Sequence, residues 1–342
     1  MDFHRPDRRS VLTAALTAVL VTACTDRTTL ESLPPHHRIR PLEHGVFLPH
    51  GPQDGPAFTA MTGAAPRWML LFRDWTHEMP PVEALDAVRT QGATPVLTWE
   101  PWVAPATGGV PADAAQQPAF ALSRFAAGDH DHRISTWAEA LAAWGHDVVL
   151  RFAHEMNGTW YPWAAGVQGN TAEQYVRAWR HVHSTFAAAG ATNVRWCWAP
   201  NVPALGVDTC VDTGMDTGGA RLADCFPGQD VVDVLGIDGY NWGSSEPPLS
   251  WTAPGELLGP GLAELRGLGA RLPIMVTETA SAEGQEPGRS KAEWITQLFD
   301  YLVRQGDVLG VIWFHERKER DWSVDSSAAA RAAYRRAVAR LR

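Results

Sequence analysis

The chain has 342 residues, 45 % of them hydrophobic and 20 % charged, an ordinary balance for a folded core of one large or two smaller domains. A formal net charge of -9 leaves no basic excess to meet phosphates, which argues against a nucleic-acid partner. The unusual number is 16 Trp, as many as the 11 Phe and 5 Tyr together. Core packing rarely needs that many indoles, whereas flat, apolar-faced ligands such as sugar rings use them.

Residues 1–23 read as an export signal rather than as fold. Arg5, Arg8 and Arg9 give a basic start, and the Ala/Leu/Val stretch Val11 to Val21 is too short to span a bilayer. It ends in Val21-Thr22-Ala23-Cys24, which resembles a bacterial lipoprotein signal cut before a cysteine that is then lipidated. Arg8-Arg9 with Val11-Leu12 also loosely resembles a twin-arginine signal, and an ordinary signal peptide is the plainer alternative. Each version predicts an exported protein, secreted, periplasmic or held at the cell surface; in the lipoprotein version its only membrane contact is a lipid on Cys24. Residues 24–40 are polar without apolar period and read as a tether. In an oxidising compartment Cys210 and Cys225, in one Gly/Asp-rich loop, are expected to form a disulfide contributing about 3 kcal/mol on the chain-entropy model. Cys197, between Trp196 and Trp198, reads as a small buried hydrophobe.

From residue 41 onward one pattern repeats. Gln91-Gly92 leads into Thr94–Thr98, Gly145 into Val148–Phe152, Gly190 into Val194–Ala199, Gly269 into Ile274–Thr277 and Gly306 into Leu309–Phe314. Each glycine follows an amphipathic helical stretch, where a left-handed helix end belongs, and precedes a short apolar strand. Gly45–Leu48, Trp68–Phe72 and Val232–Ile237 bring the strands to eight. Thr171-x-x-Gln174 and Ser290-x-x-Glu293 fit capping boxes that open helices running to about Ala189 and Val303. Strands alternating with helices imply right-handed βαβ units and a parallel sheet, and eight units favour a closed (β/α)8 TIM barrel over 41–342 as a single α/β domain. No Gly-rich phosphate loop follows the first strand, which argues against a dinucleotide fold.

The residues after each strand are polar and aromatic: Arg73-Asp74-Trp75, Trp99-Glu100-Pro101-Trp102, His154-Glu155-Met156-Asn157-Gly158, Trp198-Ala199-Pro200-Asn201, Asp238-Gly239-Tyr240-Asn241-Trp242, Glu278, and Trp313-Phe314-His315-Glu316. The opposite ends carry little beyond Gly and small polar residues. In a barrel enzyme catalytic groups gather at the C-terminal ends of the strands. Glu155 and Glu278 follow strands four and seven, on opposite sides of an eight-stranded ring. Two facing carboxyls, one protonated and one ionised, are what glycoside hydrolysis needs. Glu100 is a third candidate carboxylate, with a local ion pair as the plainer alternative. Trp99, Trp102, Trp160, Trp163, Trp198, Trp242, Trp313 and Trp322 cluster at strand ends and are expected to stack on sugar; Trp68, Trp137, Trp144, Trp179 and Trp294 are expected to pack.

The stretch H-E-M-N-G-T-W-Y-P-W, from His154 to Trp163, resembles the strand-4 motif of glycoside hydrolase family 26, retaining clan-A barrels best known for endo-β-mannanases. G-V-F-L-P, F-R-D-W, T-W-E-P-W, G-I-D-G-Y-N-W, M-V-T-E-T and the late K-E-R-D-W continue the resemblance from about Gly45 to the C-terminus. It implies Glu155 as general acid/base, Glu278 as nucleophile, His154 as orienting histidine, Tyr240 as hydrogen-bond partner of the nucleophile, Asp238 as a supporting acid, and Trp160 and Trp313 as subsite walls. No cofactor or metal is implied. Tyr161-Pro162 stands where mannanases of the family carry Phe-Trp, and Trp99-Glu100 where they carry a substrate-contacting histidine. The expected activity is a monomeric endo-β-mannanase cutting β-1,4-mannan or glucomannan; a mixed-linkage β-1,3-1,4-glucanase or β-1,3-xylanase is the alternative. In another class, a non-catalytic carbohydrate-binding surface lipoprotein would keep the tryptophans and lose a carboxylate, His154 or Tyr240. A metal-dependent barrel hydrolase is disfavoured: His181-x-His183 points to two helix faces, and strand 1 lacks a His-x-His pair.

Overall fold

A computed structural model describes residues 41–105, 114–203, 220–243, 250–284 and 286–341, which belong to one compact unit. The eight strands are β1 (Glu43–Phe47), β2 (Trp68–Asp74), β3 (Thr94–Glu100), β4 (Val148–Phe152), β5 (Val194–Trp198), β6 (Val234–Asn241), β7 (Ile274–Ser281) and β8 (Val308–Phe314). All pair in parallel in chain order and β8 closes on β1, so the sheet is a barrel. Between and after them lie α1 (Gly55–Thr62), α2 (Val82–Thr90), α3 (Leu122–Ala126), α4 (Asp131–Trp144), α5 (Ala172–Ala188), α6 (Leu222–Cys225), α7 (Pro254–Gly267), α8 (Lys291–Gln305) and α9 (Ala328–Ala339). The (β/α)8 expectation therefore holds. Among the described residues no helix is long and apolar enough to cross a membrane. Cys24 and the signal-like segment lie outside the described residues.

Local signals account for the element ends. The capping boxes at Thr171/Gln174 and Ser290/Glu293 are both formed. Gly145 and Gly306 end α4 and α8 at φ 71° and 70°, a conformation that costs an L side chain roughly 1–2 kcal/mol. Gly92, Gly190 and Gly269 lie in the same region. Strands β2, β3, β6 and β7 run further than their apolar runs suggest. Pairing with the neighbouring strand carries Arg73-Asp74 against Trp99-Glu100, and Asp238–Asn241 against Glu278–Ser281. Ladder hydrogen bonds thus hold the polar residues as strand and lift them to the barrel mouth.

Alternation along the strands sorts side chains between two cores. Leu70, Val96, Val149, Cys197, Ala199, Val234, Met275 and Ile312 fill the barrel interior. Their neighbours Leu97, Leu150, Trp196, Leu235, Val276 and Val311 face the helices in the larger cluster. Trp99 obeys this rule. It points outward and stacks on Trp137 of α4, with ring centroids 4.4 Å apart at 13°, and on Trp75 at 5.0 Å. Trp198 and Trp313 also face outward, against Phe226 and against Trp294 and Tyr334.

Cys225 is buried, and Cys210, with which a disulfide is expected, lies outside the described residues. Cys225 sits at the end of α6 within the apolar cluster, and burial pushes its thiol up to about 12. Cys197 is buried and free, as its Trp-Cys-Trp context suggests.

Candidate active site

The arginine inside the apolar strand β4 organises the mouth. In V-V-L-R-F, Val149 faces the barrel interior and Arg151, two residues on, faces it too, with no exposed side-chain surface. Its Nη1 donates to Asp238 Oδ2 at 2.6 Å, its Nη2 to Glu278, and its Nε to Thr98 Oγ1 at 2.9 Å. Burial opposes the charge, but Asp238 and Glu278 outweigh it and hold the guanidinium firmly protonated. Thr277 Oγ1 donates to the other oxygen of Asp238 at 2.6 Å. Asp238 is therefore a buried support that anchors the arginine, and Arg151 is the link from it to Glu278.

Glu278 reaches the mouth because β7 is irregular. Met275 and Thr277 both turn inward, and strict alternation would send Glu278 out to the helices. The register of β7 against β8 slips between Val276 and Thr279, and β6 slips against β7 at Ile237/Asp238. Such a bulge re-aims a side chain, here into the barrel beside Arg151. The Tyr240 hydroxyl donates to Glu278 Oε2 at 2.6 Å. Burial and the adjacent Glu278 raise the tyrosine well above its ordinary range, which keeps its proton in place to be donated. The Glu278 carboxylate thus accepts from a charged donor on one oxygen and from a hydroxyl on the other.

Glu155 stands opposite on a backbone that few residues tolerate. Ala153 and Glu155 have φ of 46° and 50°. The bonds from Ala153 N to Trp99 O (3.1 Å), from Glu155 N to Ala199 O (2.7 Å) and from the Tyr175 hydroxyl to Ala153 O (3.1 Å) hold that path between β3 and β5. Strain of this kind persists only where the surroundings over-determine it. Glu155 Oε1 accepts from Asn201 Nδ2 at 2.7 Å and Oε2 from the Trp160 indole at 2.8 Å. Burial first, and the charge of Glu278 second, raise this carboxyl to about 7, with those two hydrogen bonds opposing. Near neutrality Glu155 thus carries a transferable proton.

Burial, with the Arg151 charge second, keeps His154 well below its usual range and so neutral. Its Nε2 lies 3.3 Å from the Tyr161 hydroxyl and 3.8 Å from Glu278. Among the described residues His154, Asp238 and Glu278 bring donor atoms within 4.8 Å of one another. The Arg151 guanidinium already stands against both carboxylates and supplies the positive charge at that point.

Most of the expected sugar-stacking tryptophans are corrected by their burial. Trp99, Trp163 and Trp198 have no exposed surface, Trp313 and Trp322 have 1 % each and Trp102 has 5 %. Trp163 stacks on Tyr161 at 4.2 Å and donates to His154 O at 2.6 Å, while Trp102 meets both rings edge-on. Trp313 donates to Trp322 O at 2.7 Å, and Trp322 packs against Tyr240 and Trp242. These indoles brace the loops at the barrel mouth from behind. Of the eight expected to stack on sugar, Trp160, 41 % exposed, and the half-buried Trp242 are the two with a face toward solvent. Sequence reasoning missed Arg151, Asn201 and Asn157. Arg151 was signalled by an inward strand position; Asn157, named only as one of the polar residues after strand 4, exchanges two 2.9 Å bonds with the backbone of Asn201 and fixes the residue that holds Glu155.

Residues 95–247, from β3 to just past β6, match the family model of glycosyl hydrolase family 26. Endoglucanase H of Acetivibrio thermocellus is 34 % identical over 272 residues, 78 % of this chain and 27 % of that protein. Over residues 95–247 the chain is thus similar to glycosyl hydrolase family 26. Mannan endo-1,4-β-mannosidase A and B of Caldalkalibacillus mannanilyticus is 27 % identical over 104 residues, 28 % of this chain and 17 % of that protein. The chain spans about a quarter or less of the length of these two relatives. In fold it is similar to a modular endo-β-1,4-mannanase of Cellulomonas fimi, with a TM-score of 0.61 at 17 % identity over 89 % of this chain and 72 % of that one.

Proposed function

We propose that this chain is a retaining endo-β-glycosidase acting as a monomer on β-1,4-mannan or glucomannan, without a cofactor. The observation that carries the reading is the contrast between two facing carboxyls: Glu155 is raised to about 7 and holds a proton, whereas Glu278 is gripped by Arg151 and Tyr240. Glu155 gives its proton to the glycosidic oxygen as Glu278 attacks the anomeric carbon, so the C–O bond breaks and a glycosyl ester forms on Glu278. Glu155, now ionised, takes a proton from water, whose oxygen displaces Glu278 and restores both carboxyls. The family motifs and the mannosidase relative support mannan. We likewise propose export with lipid attachment at Cys24, supported by the Val21-Thr22-Ala23-Cys24 pattern.

A second substrate reading, β-glucan, is favoured by the higher identity and longer match to Endoglucanase H. The departures at Trp99-Glu100 and Tyr161-Pro162 point the same way. The test is reducing-sugar release from mannan, glucomannan, mixed-linkage β-glucan and β-1,3-xylan by the chain from Asp26 onward. Cleavage of the mannans is expected, with Glu278→Ala and Glu155→Ala slower by on the order of 10³-fold or more. Cleavage of mixed-linkage glucan alone would establish the second reading. An active Glu278→Ala protein would sink the mechanism, and binding without any cleavage would make the protein a carbohydrate-binding one.

A further inference from the structure

Lys291 is a buried charge that the two-carboxylate chemistry does not use. It is the first residue of α8, directly after the N-cap Ser290, and has no exposed surface. Both facts count against it: the helix dipole disfavours a cation in the first turn, and burial disfavours the charge itself. Burial pulls the ammonium down to about 8, with the charges of Asp321, Glu283 and Asp325 opposing, so at neutral pH it keeps its proton and three donors. The compensation lies in what those donors meet.

All three go to the segment between β8 and α9, residues 315–327, which contributes no helix or strand element. The ammonium donates to Asp321 O, to Ser323 O at 3.1 Å and to Ser326 Oγ at 2.7 Å. The carbonyl between the first two, Trp322 O, accepts from the Trp313 indole at 2.7 Å. Three successive carbonyls of an irregular segment are thus held by buried side-chain donors, where neither ladder nor helix satisfies them. The bonds from Trp322 N to Glu316 O (2.8 Å) and from Val324 N to His315 Nδ1 (3.1 Å) tie down the rest of the path.

What this grip fixes is Trp322. Its buried ring meets Tyr240 at 5.2 Å between centroids and Trp242 at 5.1 Å. Tyr240 also meets Phe314 of β8 at 5.8 Å, and its hydroxyl donates to Glu278 Oε2 at 2.6 Å. In a close-packed interior a displaced neighbour is felt, so the contacts with Phe314 and Trp322 set where that hydroxyl points.

We propose that Lys291 is a positioning residue for the nucleophile: by gripping the carbonyls on either side of Trp322 it seats that indole against Tyr240 and so keeps the Tyr240 hydroxyl on Glu278. The inference rests on the glycosidase reading, in which Glu278 attacks the sugar, and adds the charge that places its hydrogen-bond partner. Lys291 acts at one remove, through Trp322 and Tyr240. A shift of about 1 Å at a reacting group, caused by a change far from it, can cost on the order of 100-fold in rate.

The experiment measures Tm, and kcat/KM well below Tm on the polymer that wild type cuts best, for wild type, Lys291→Met, Tyr240→Phe and the double variant. Lys291→Met is expected to lower Tm and to lose about 10- to 100-fold in kcat/KM. Tyr240→Phe lacks the hydroxyl that Lys291 is there to place. In that background Lys291→Met is expected to lower Tm again but to change kcat/KM by less than about threefold, because the two residues act on one contact. A lowered Tm with kcat/KM unchanged, or the same loss of kcat/KM in both backgrounds, marks a purely structural role and would overturn the proposal. Should Lys291→Met not fold, Ser326→Ala removes one of the three bonds and leaves the others. Its loss is expected to be about 3- to 10-fold and to vanish in the Tyr240→Phe background; no loss, or a loss that persists there, would equally overturn the proposal. Wild-type protein inert on every polymer overturns the glycosidase reading and this one with it, whereas the other outcomes leave that reading standing.

Discussion

Glu155 shows how one residue acquires a role from its neighbours. Its left-handed backbone, at φ 50°, is fixed by the bond to Ala199 O, and its carboxyl is set between two forces. Burial and Glu278 push the proton on; Asn201 and Trp160 pull the other way. A general acid must be protonated, so kcat/KM is expected to fall as pH rises through about 7. Removing Asn201 removes a bond that favours the anion. A hydrogen bond to a charged group is worth about 1.5–3 kcal/mol and a pKa unit about 1.4 kcal/mol. Asn201→Ala should therefore move the basic limb up by roughly one unit, read from a pH–rate profile on a soluble polymer. A limb that moves down would contradict this account of Glu155.

At the scale of an element, β4 is the strand on which the mouth depends. Its apolar residues supply the two cores, while Arg151 crosses the interior to β3, β6 and β7. Arg151→Met would leave Asp238 and Glu278 buried together without their cation. Breaking a buried pair by removing one partner costs about 3–5 kcal/mol. In a chain of this size Tm should drop by about 6 °C or more, measured by thermal unfolding at pH 7. Arg151→Lys should recover little of it, because one ammonium cannot fork to two carboxylates and a threonine. An Arg151→Met protein with the wild-type Tm would show that the ion pair is dispensable. The bulge in β7 does for Glu278 what the strained turn after β4 does for Glu155.

For the whole molecule, closure of the barrel gathers the C-terminal ends of eight strands into one ring, so residues as distant as Arg151 and Glu278 become hydrogen-bond partners. The net charge of -9 leaves no electrostatic hold on an anionic membrane, so retention at a surface would fall to a lipid on Cys24. Cys24→Ala should shift the full chain expressed in bacteria from the membrane fraction to the soluble one and end labelling with a fatty-acid analogue. Membrane retention of Cys24→Ala without label would point instead to an uncut signal segment.

The amino-acid sequence by itself determined the barrel, because helix-ending glycines, capping boxes and short apolar strands are local signals that recur along the chain. It also determined Glu155 and Glu278 as the acids of interest, since Glu155 follows and Glu278 extends an apolar run where core packing calls for no carboxylate. What only the tertiary structure decided is which way side chains face and what they meet. Trp99, Trp198 and Trp313 belong to the outward phase of their strands and brace helices, a phase set by pairing with neighbours. Glu278 escapes that phase only through a slip between strands. Arg151, hidden in a hydrophobic run, finds Asp238 and Glu278 across 87 and 127 residues of chain. Partnerships at such separations follow from barrel closure, and no local pattern encodes them.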